Sequence, residues 1–378
     1  MGIVRRETNS AGIAYAGGRA RWQVRLRRPD GRHYGRTFTT RKAAEIWHRD
    51  QLTAMQVGTW IDPSAGRVDL ATAATRFLTE RSRPLAPKTL ELYDDLLERF
   101  VLPEWGGAPL TSITTEGIRS WLAGVSSAGG ELQAAKSYRL LRAILNVAVS
   151  DGALLRNPCT IRGAGQERSA ERPLVTPEQL LALADAIEPH LRAFILLAGF
   201  GGLRRGELLA LRRDDIDLVG GMVRVDKQMV KLRVDGMIQT KPKSAAGTRT
   251  VSLPSFVVEA LELHLETFVG PEPTSTVFVG LKGGPLSVAS LYPAYERARA
   301  SVGIEGVTIH DLRHAAGTLA AWTGATTKEL MARMGHSTMA ASIRYQHAAR
   351  SRDAEIAERL EIFRPKPPTS PAADPFEA

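Results

Sequence analysis

The residues of this chain with the clearest potential for chemistry are two histidines, an arginine and a tyrosine near its C-terminal end. They occur in the order His310, Arg313, His336 and Tyr345. The planar fork of arginine suits phosphate oxygens, histidine donates or moves a proton near neutral pH, and a phenol attacks once a base or a positive field helps to ionise it. This set is poorly suited to a hydrophobic core or a metal site. It suits the task of holding a phosphodiester while a phenolic oxygen attacks the phosphorus.

A second arginine is expected upstream, because a dianionic, five-coordinate phosphorus needs more than one fixed cationic donor when no metal is present. Arg204 and Arg205 follow a pair of glycines at 201–202, where a turn can present a side chain at the start of a helix. Glu207 lies on the same helical face as Arg204 and can orient a neighbouring group by hydrogen bonding. Position alone does not separate Arg204 from Arg205.

A proton donor for the leaving oxygen is expected on the loop at 239–249. This loop contains Lys241 and Lys243, and a lysine on a mobile hairpin is a natural general acid. The residue types alone do not choose between the two lysines. Downstream, His310 and Arg313 are spaced i, i+3, so one face of a helix can present both towards one phosphate.

Other common kinds of active site have no counterpart in the sequence. There is no P-loop, no Rossmann glycine pattern, no His-Glu-x-x-His helix and no paired carboxylates. The lone cysteine, Cys159, excludes an internal disulfide and a cysteine-clustered metal site. No apolar run is long enough to span a membrane, and the N-terminus lacks the apolar core of a signal peptide. We therefore expect a cytoplasmic protein with no metal and no cofactor.

Composition and charge indicate a multidomain protein with a polyanionic partner. The chain has 378 residues, of which 43% are hydrophobic and 24% charged, which is typical of two or three globular domains. The formal net charge is +10. Residues 1–60 carry twelve Lys/Arg against four Asp/Glu, a concentration that predicts contact with nucleic acid.

The N-terminal region is predicted to be a three-stranded sheet covered by a helix. Residues 21–27 alternate apolar Trp, Val and Leu with Arg and Gln, which is the period of a strand with one buried face. The other strands are predicted at 33–39 and 12–16, and Thr40 is a candidate N-cap for the helix. Four arginines of this region are predicted to contact DNA: Arg21, Arg25, Arg27 and Arg36.

The middle of the chain is predicted to be wholly helical. Turn formers at 60–67 indicate a linker, and apolar residues at helical spacing from 68 to about 157 predict a bundle of four helices. Basic residues on the outer faces, Lys88 and Arg139 among them, are candidates for phosphate contacts. Glycine-containing, polar residues at 161–172 predict a second linker.

The rest of the chain is predicted to be mainly helical with a small antiparallel sheet. Thr176 and Gln179 form a capping-box pattern at the first helix of this part. Strand-like pieces occupy 222–225, 229–234, 236–240 and 249–253, with a hairpin turn at Asp235-Gly236. Helices resume at 255 and continue to about 363, and the tail at 364–378 is predicted to be disordered. The predicted fold class is multidomain α+β.

These motifs resemble those of the tyrosine recombinase, or phage integrase, family. Gly202-Leu203-Arg204-Arg205-Gly206-Glu207-Leu208 looks like its first arginine box, and His310-Asp311-Leu312-Arg313-His314 with Gly335-His336-Ser337 looks like its second. The resemblance implies that Arg204 is the first catalytic arginine and that Lys243 is the catalytic lysine. It places Tyr345 at the position of the nucleophile. The six implied catalytic residues are Arg204, Lys243, His310, Arg313, His336 and Tyr345, with Glu207 supporting them.

The resemblance extends to the domains and the reaction. It implies an arm-type DNA-binding domain at 1–60, a core-type DNA-binding domain at 68–160 and a catalytic domain at 172–363, similar to integrases of actinobacterial temperate phages. The implied reaction forms a 3′-phosphotyrosine and needs neither metal nor ATP. The implied partners are double-stranded DNA at core and arm attachment sites, three further copies of the chain in a tetramer on DNA, a directionality factor and a host DNA-bending protein. Alternatives are a cellular resolvase of the family, a type IB topoisomerase and a non-catalytic DNA-binding regulator.

Overall fold

The computed structural model describes residues 2–8, 21–27, 33–57, 67–80, 84–167, 173–242, 244–281 and 283–339. The chain divides into two compact units, residues 1–168 and 169–378. Among the predicted features, Lys243, Tyr345, the third strand at 12–16, most of the linker at 60–67 and everything after residue 339 lie outside the described residues.

A three-stranded antiparallel sheet and one helix open the first unit. The strands are β1 (Ile3–Arg6), β2 (Arg21–Arg27) and β3 (His33–Phe38), in the order β1-β2-β3, and the helix is α1 (Arg41–Gln56). Val24 and Leu26 are fully buried with Ala44 of α1, and the Thr40 hydroxyl caps the helix by accepting from the Ala43 amide. The predicted sheet and helix are confirmed. The strand that pairs with β2 on its other side is Ile3–Arg6, which the sequence pattern did not indicate.

The register of this sheet separates its arginines. Arg25 and Arg27 are exposed, because they alternate along β2 with the buried Val24 and Leu26. Arg36 of β3 is directly opposite Val24. Opposed residues of antiparallel strands point to the same face, so Arg36 lies on the same face as Val24, although Arg36 itself is exposed. Its guanidinium carbon is 5.4 Å from the centroid of the Phe38 ring.

The described residues in the remainder of the first unit are mainly helical, as predicted. Its helices are α2 (Leu70–Thr79), α3 (Pro87–Leu96), α4 (Leu102–Trp105), α5 (Thr115–Gly129) and α6 (Glu131–Ser150), with a π-helical turn, Leu97–Val101, joining α3 to α4. The apolar stripe of α6 faces the core, and the Trp121 indole donates to the Phe100 carbonyl at 2.8 Å.

The start of the predicted second linker is fastened to α6. The Ile161 amide donates to the Tyr138 hydroxyl at 2.9 Å. Arg139 forms an ion pair with Glu167 and also donates to the Gly165 carbonyl. Residues 161–167 therefore belong to the packed structure of the first unit.

The second unit begins with short helices and strands and continues with longer helices. Its first elements are α7 (Pro177–Ala186), α8 (Pro189–Leu196), α9 (Arg205–Leu208), β4 (Ile216–Asp217), β5 (Met222–Val225), β6 (Gln228–Lys231), β7 (Met237–Thr240) and β8 (Arg249–Ser252). They are followed by α10 (Ser255–Phe268), α11 (Val288–Ser301), α12 (Ile309–Trp322) and α13 (Thr327–Met334). The predicted capping box of Thr176 and Gln179 is present at α7.

The strands of this unit form two small antiparallel sheets. One has the order β4-β5-β8, and the other is the separate hairpin β6-β7, which is inserted between β5 and β8. Gly236 has φ +68 at the predicted hairpin turn, a conformation that favours glycine. Gly206 of α9 packs on this hairpin so closely that a Cβ would lie 2.7 Å from the Met229 carbonyl oxygen. The hairpin is thereby held against the helix that follows Arg204.

The core of the second unit positions α12 against the chain that precedes α9. Phe194, Phe278, Tyr295 and Leu312 are fully buried in one cluster. A π-helical turn, Leu197–Gly201, ends α8 and packs on α12. This contact brings the end of that turn next to the first half of α12.

Candidate active site

The buried carboxylate of Glu207 lies at the centre of the candidate active site. Its side chain is 2% exposed. Its Oε2 accepts from the Arg204 backbone amide at 2.7 Å, and its Oε1 accepts from Arg204 Nη1 at 2.7 Å. Glu207 therefore orients both the backbone and the side chain of Arg204, at the first turn of α9. The sequence had indicated that Glu207 orients a neighbour, and Arg204 is that neighbour.

The turn that presents Arg204 depends on a glycine in the left-handed region. Gly202 has φ +70, and a Cβ there would lie 2.9 Å from the Met334 sulfur. A larger residue is disfavoured on both grounds. The Gly202 turn thus lets the chain leave the π-helical turn and begin α9 beside the end of α13.

Arg313 joins the Arg204 segment to the end of α13. Its side chain is 3% exposed, and its Nη1 donates to the Gly202 carbonyl and lies 3.8 Å from Glu207 Oε2. Its Nη2 donates to the Met334 carbonyl and lies 3.5 Å from His336 Nε2. The structure therefore brings together Arg204, Arg313, Glu207 and His336, which come from three distant segments.

A second left-handed glycine shapes the turn that carries His336. α13 ends at Met334, and Gly335 has φ +62. The Gly335 carbonyl accepts from Arg204 Nη2 at 2.9 Å, and the His336 amide donates to the Met331 carbonyl at 3.0 Å. The prediction that His336 follows Gly335 in a turn is confirmed.

His310 lies in the first turn of α12, three residues before Arg313. Thr308 and Asp311 form a capping box there, with the Thr308 amide donating to Asp311 Oδ2 at 2.8 Å. His310 is exposed, whereas Arg313 is buried. The imidazole of His310 packs edge-on against that of His314, with 4.7 Å between centroids. Access from solvent makes His310 available to a bound substrate.

Arg249 belongs to the site, although the sequence had not marked it. Its side chain is 5% exposed, and its Nη1 and Nη2 donate to the two oxygens of Glu207 at 3.1 and 3.0 Å. Its Nε donates to the Arg333 carbonyl at 2.8 Å. A signal was available, because Arg249 shares the inward face of β8 with the buried Val251. A charge on a buried face requires a partner.

The positively charged side chains of the site outnumber the negatively charged ones. Burial by itself would raise the pKa of Glu207, but the hydrogen bonds and charges of Arg249 and Arg204 outweigh it and lower that pKa. Glu207 is therefore ionised, and its single negative charge faces Arg204, Arg249 and Arg313. Burial and the neighbouring charge of Arg249 lower the pKa of Arg333. The excess of positive charge suits an anionic ligand.

The two alternatives that the sequence left open have different surroundings. Arg205 donates to the Tyr292 hydroxyl at 2.6 Å and stacks over its ring, while Arg204 holds Glu207 and Gly335. Lys241 is exposed at the end of β7, where its carbonyl accepts from the Gln228 side chain. Lys243 lies outside the described residues, as does Tyr345.

The basic residues predicted to contact DNA in the helical bundle carry ion pairs. Lys88 pairs with Glu91 at 2.8 Å, and Arg139 pairs with Glu167. Lys88 and Arg139 are both exposed, and ion pairs at the surface contribute little to stability. They do not prevent either cation from exchanging its carboxylate for a phosphate.

The described residues offer neither a metal cluster nor a membrane span. They contain no group of three or more His, Cys, Asp or Glu side chains arranged to hold a metal ion. None of the helices within these ranges is long and apolar enough to cross a membrane.

Solved structures with a similar fold include DNA-bound integrases. The Tn1549 transposon integrase in complex with transposon right end DNA aligns with a TM-score of 0.68 and 18% identity, covering 77% of this chain and 100% of that one. A lambda integrase dimer bound to a COC′ core site aligns with a TM-score of 0.56 and 21% identity, covering 91% and 96%. At these identities the likeness concerns the fold, and it confirms the predicted fold class.

Sequence comparison establishes the family. Residues 173–352 match the Phage integrase family. A putative prophage phiRv2 integrase of Mycobacterium tuberculosis is 38% identical over 349 residues, which is 90% of this chain and 92% of that protein. The integrase of Mycobacterium phage L5 is 33% identical over 343 residues, with coverage of 87% and 91%. Because this identity extends over about nine-tenths of the chain, the chain belongs to the phage integrase family, the tyrosine recombinases that cleave and rejoin DNA.

Proposed function

We propose that this chain integrates and excises a phage or mobile element by cutting and rejoining double-stranded DNA through a 3′-phosphotyrosine at Tyr345. The observation that supports this best is the convergence of Arg204 and Arg313. They come from segments more than a hundred residues apart, yet Glu207 and the turn 334–336 contact both guanidinium groups. Two fixed guanidinium groups beside one another suit the non-bridging oxygens of a single phosphate.

In this proposal each residue of the set has one role in the chemical step. Tyr345 attacks the phosphorus, a bond forms between its oxygen and phosphorus, and the bond from phosphorus to the 5′-oxygen breaks. Lys243 donates a proton to the departing 5′-oxygen, while His310 and His336 donate to the phosphate or move the phenolic proton. Arg204 and Arg313 stabilise the charge that develops on the non-bridging oxygens.

The second half of the proposed reaction reverses the first with a different strand. A 5′-hydroxyl of the partner duplex attacks the phosphotyrosine, so a new phosphodiester forms and Tyr345 regains its proton. The phosphotyrosine retains the energy of the original bond, and the exchange therefore needs no ATP. Two such rounds form and then resolve a Holliday junction.

The proposed assembly is a homotetramer on two DNA sites. Residues 1–60 would bind arm sites, residues 68–160 core sites, and residues 172–363 would carry out the chemistry. Lambda integrase, whose fold is similar, forms a tetramer bound to a Holliday junction. Arm sites at a distance from the core require bent DNA, and the proposed partners therefore include a host DNA-bending protein and a directionality factor. DNA as substrate places the protein with the nucleoid in a bacterial cytoplasm.

A nicked suicide duplex tests this function. It would carry the core sequence that is repeated in the DNA on either side of the element. A nick close to the cleavage site would make the strand with the new 5′-hydroxyl short enough to dissociate, so that the covalent adduct accumulates. We expect the full-length protein to form a covalent adduct and Tyr345→Phe to bind the duplex without one. An adduct that persists in Tyr345→Phe would overturn the assignment of the nucleophile.

The same preparation distinguishes the alternatives. Binding without any adduct in the unaltered chain indicates a non-catalytic regulator. Relaxation of supercoiled plasmid that lacks the core sequence, without recombination, indicates a type IB topoisomerase. Recombination between two core sequences that needs no arm DNA indicates a cellular resolvase. We expect recombination that depends on both core and arm sequences.

A further inference from the structure

Arg249 is a buried cation whose three guanidinium nitrogens, Nε, Nη1 and Nη2, all donate to protein groups. Its side chain is 5% exposed, compared with 34% for Arg204. Its guanidinium makes four hydrogen bonds, to Glu207 Oε1 and Oε2, to the Gly247 carbonyl at 3.2 Å and to the Arg333 carbonyl. A buried arginine with these partners is committed to protein groups, so any effect of Arg249 on DNA cleavage acts through its neighbours.

The contacts of Arg249 connect the parts that must assemble for cleavage. Glu207 holds Arg204, and the Arg333 carbonyl lies at the end of α13, just before the turn of Gly335. That turn packs directly on the guanidinium, since a Cβ on Gly335 would lie 3.0 Å from Arg249 Nη1 and 2.9 Å from the Ala246 carbonyl oxygen. One side chain therefore fastens α9, the 245–249 segment and the end of α13 to one another.

The segment that Arg249 holds is itself tightly folded. A Cβ on Gly247 would lie 2.4 Å from Pro242 Cβ, so the chain on either side of residues 243–246 is in close contact. Pro242 and Ser244 are the sequence neighbours of Lys243. The bond from Arg249 to the Gly247 carbonyl thus ties the base of the lysine segment to Glu207.

Charge gives Arg249 a second effect. Glu207 has one negative charge, and both of its oxygens accept from Arg249. Arg249 therefore neutralises the carboxylate within the protein. The charges of the more exposed Arg204 and of Arg313 then remain available to an anionic phosphate. Without Arg249, the unmatched carboxylate would compete with the phosphate for both arginines.

We propose that Arg249 is a positioning residue for strand cleavage, which grips and neutralises Glu207 so that Arg204 is held in place with its charge free for the phosphate. This rests on the proposed function, because it concerns the rate at which the phosphotyrosine forms. It extends that function to a residue outside the set implied by the family motifs. Arg249 touches neither DNA nor the reacting atoms.

The test measures adduct formation on the nicked duplex at saturating DNA, together with the affinity for that duplex. We expect Arg249→Met to slow cleavage by roughly 10- to 100-fold, which is the reduction typical of removing a residue that orients the groups in direct contact with a reaction centre. Affinity should remain near that of the unaltered chain, because Arg249 does not contact DNA. This separates positioning from binding.

The distinguishing readout is rescue by a second substitution. If Arg249 works by neutralising Glu207, Glu207→Gln should raise the cleavage rate of Arg249→Met by about 3-fold or more, a coupling within the range for residues in contact. Arg333→Met is the matched control, since Arg333 donates to the Ser252 and Phe200 carbonyls and not to Glu207. Glu207→Gln should not rescue it.

Two results would overturn the proposal. One is an unaltered cleavage rate in folded Arg249→Met, and the other is a double variant whose rate is reduced by the product of the two single reductions. If Arg249→Met shows no thermal unfolding transition, Arg249→Lys is tested in its place. The lysine ammonium cannot donate to both Glu207 oxygens in the way that a guanidinium does, so we expect slower cleavage. An unaltered cleavage rate in Arg249→Lys would reject the positioning role. An absence of adduct in the unaltered chain would instead reject the proposed function itself.

Discussion

Arg204 Nη2 donates to the carbonyl oxygen of Gly335 at 2.9 Å, across 131 residues of sequence. This bond links the first arginine motif to the turn that precedes His336. Glu207 holds the other Nη of the same guanidinium. The orientation of Arg204 therefore depends on two separate parts of the second unit. A substitution in either part should lower the rate of DNA cleavage.

Arg204→Lys should abolish most of the cleavage activity. An ammonium cannot bond to Glu207 and Gly335 while presenting a fork to phosphate, and removal of one such preorganised donor typically costs about 10²- to 10³-fold in rate. Adduct formation on the nicked duplex measures this. Arg205→Lys is the matched control, because Arg205 bonds to Tyr292 on the surface. Equal reductions in both variants would reject the distinction between the two arginines.

Gly335→Ala should destabilise the protein more than Gly303→Ala does. Both glycines have positive φ, +62 and +68, and each substitution costs roughly 1–2 kcal/mol for the left-handed backbone alone. At Gly335 the new Cβ would also press on the Ala246 carbonyl and Arg249, whereas at Gly303 nothing lies within 4 Å. Urea unfolding and cleavage assays should show the larger decrease in both stability and rate for Gly335→Ala. Similar unfolding free energies would contradict the packing argument.

The stability of the second unit should depend on pH through Glu207. The pKa of this carboxyl is lowered from its ordinary value of 4.5, so its ionised form stabilises the folded state. That contribution is fully present above pH 4.5 and disappears as the pH falls through the lower folded-state pKa. Thermal unfolding between neutral and acidic pH should show a steeper decline for the unaltered chain than for Glu207→Gln. Parallel declines would show that Glu207 does not titrate in this way.

The arginines of β2 should affect the salt dependence of DNA binding. Arg25, Arg27 and Arg36 are all exposed, but the register places Arg36 on the sheet face opposite to that of Arg25 and Arg27. Removing an arginine that binds one phosphate should reduce the slope of log K against log salt by roughly 0.9. We expect Arg25→Ala with Arg27→Ala to lower both affinity and slope for arm DNA. Arg36→Ala should change them less, and a larger effect there would place the DNA on the other face.

Local patterns in the sequence predicted much of the fold. The alternation in β2 indicated its buried Val24 and Leu26, and the capping box at Thr176 marked the start of α7. These features depend on residues a few positions apart, so their physical cause is contained in short segments. The strand β1 was not predicted, because it pairs with β2 across an intervening segment of the chain. Pairing at that distance leaves no periodic trace in a four-residue strand.

The sequence motifs likewise predicted the chemistry. His310, Arg313, His336 and Tyr345 indicated phosphate chemistry, since residue type defines what a side chain can donate or accept, and the family resemblance selected Arg204 over Arg205. The partners of these side chains were decided only by tertiary structure. Arg249 and the Gly335 carbonyl became part of the site because packing of α9, β8 and α13 buried them beside Glu207 and Arg204. A buried polar group must find whatever donor or acceptor the fold places within reach, and no local sequence pattern specifies it.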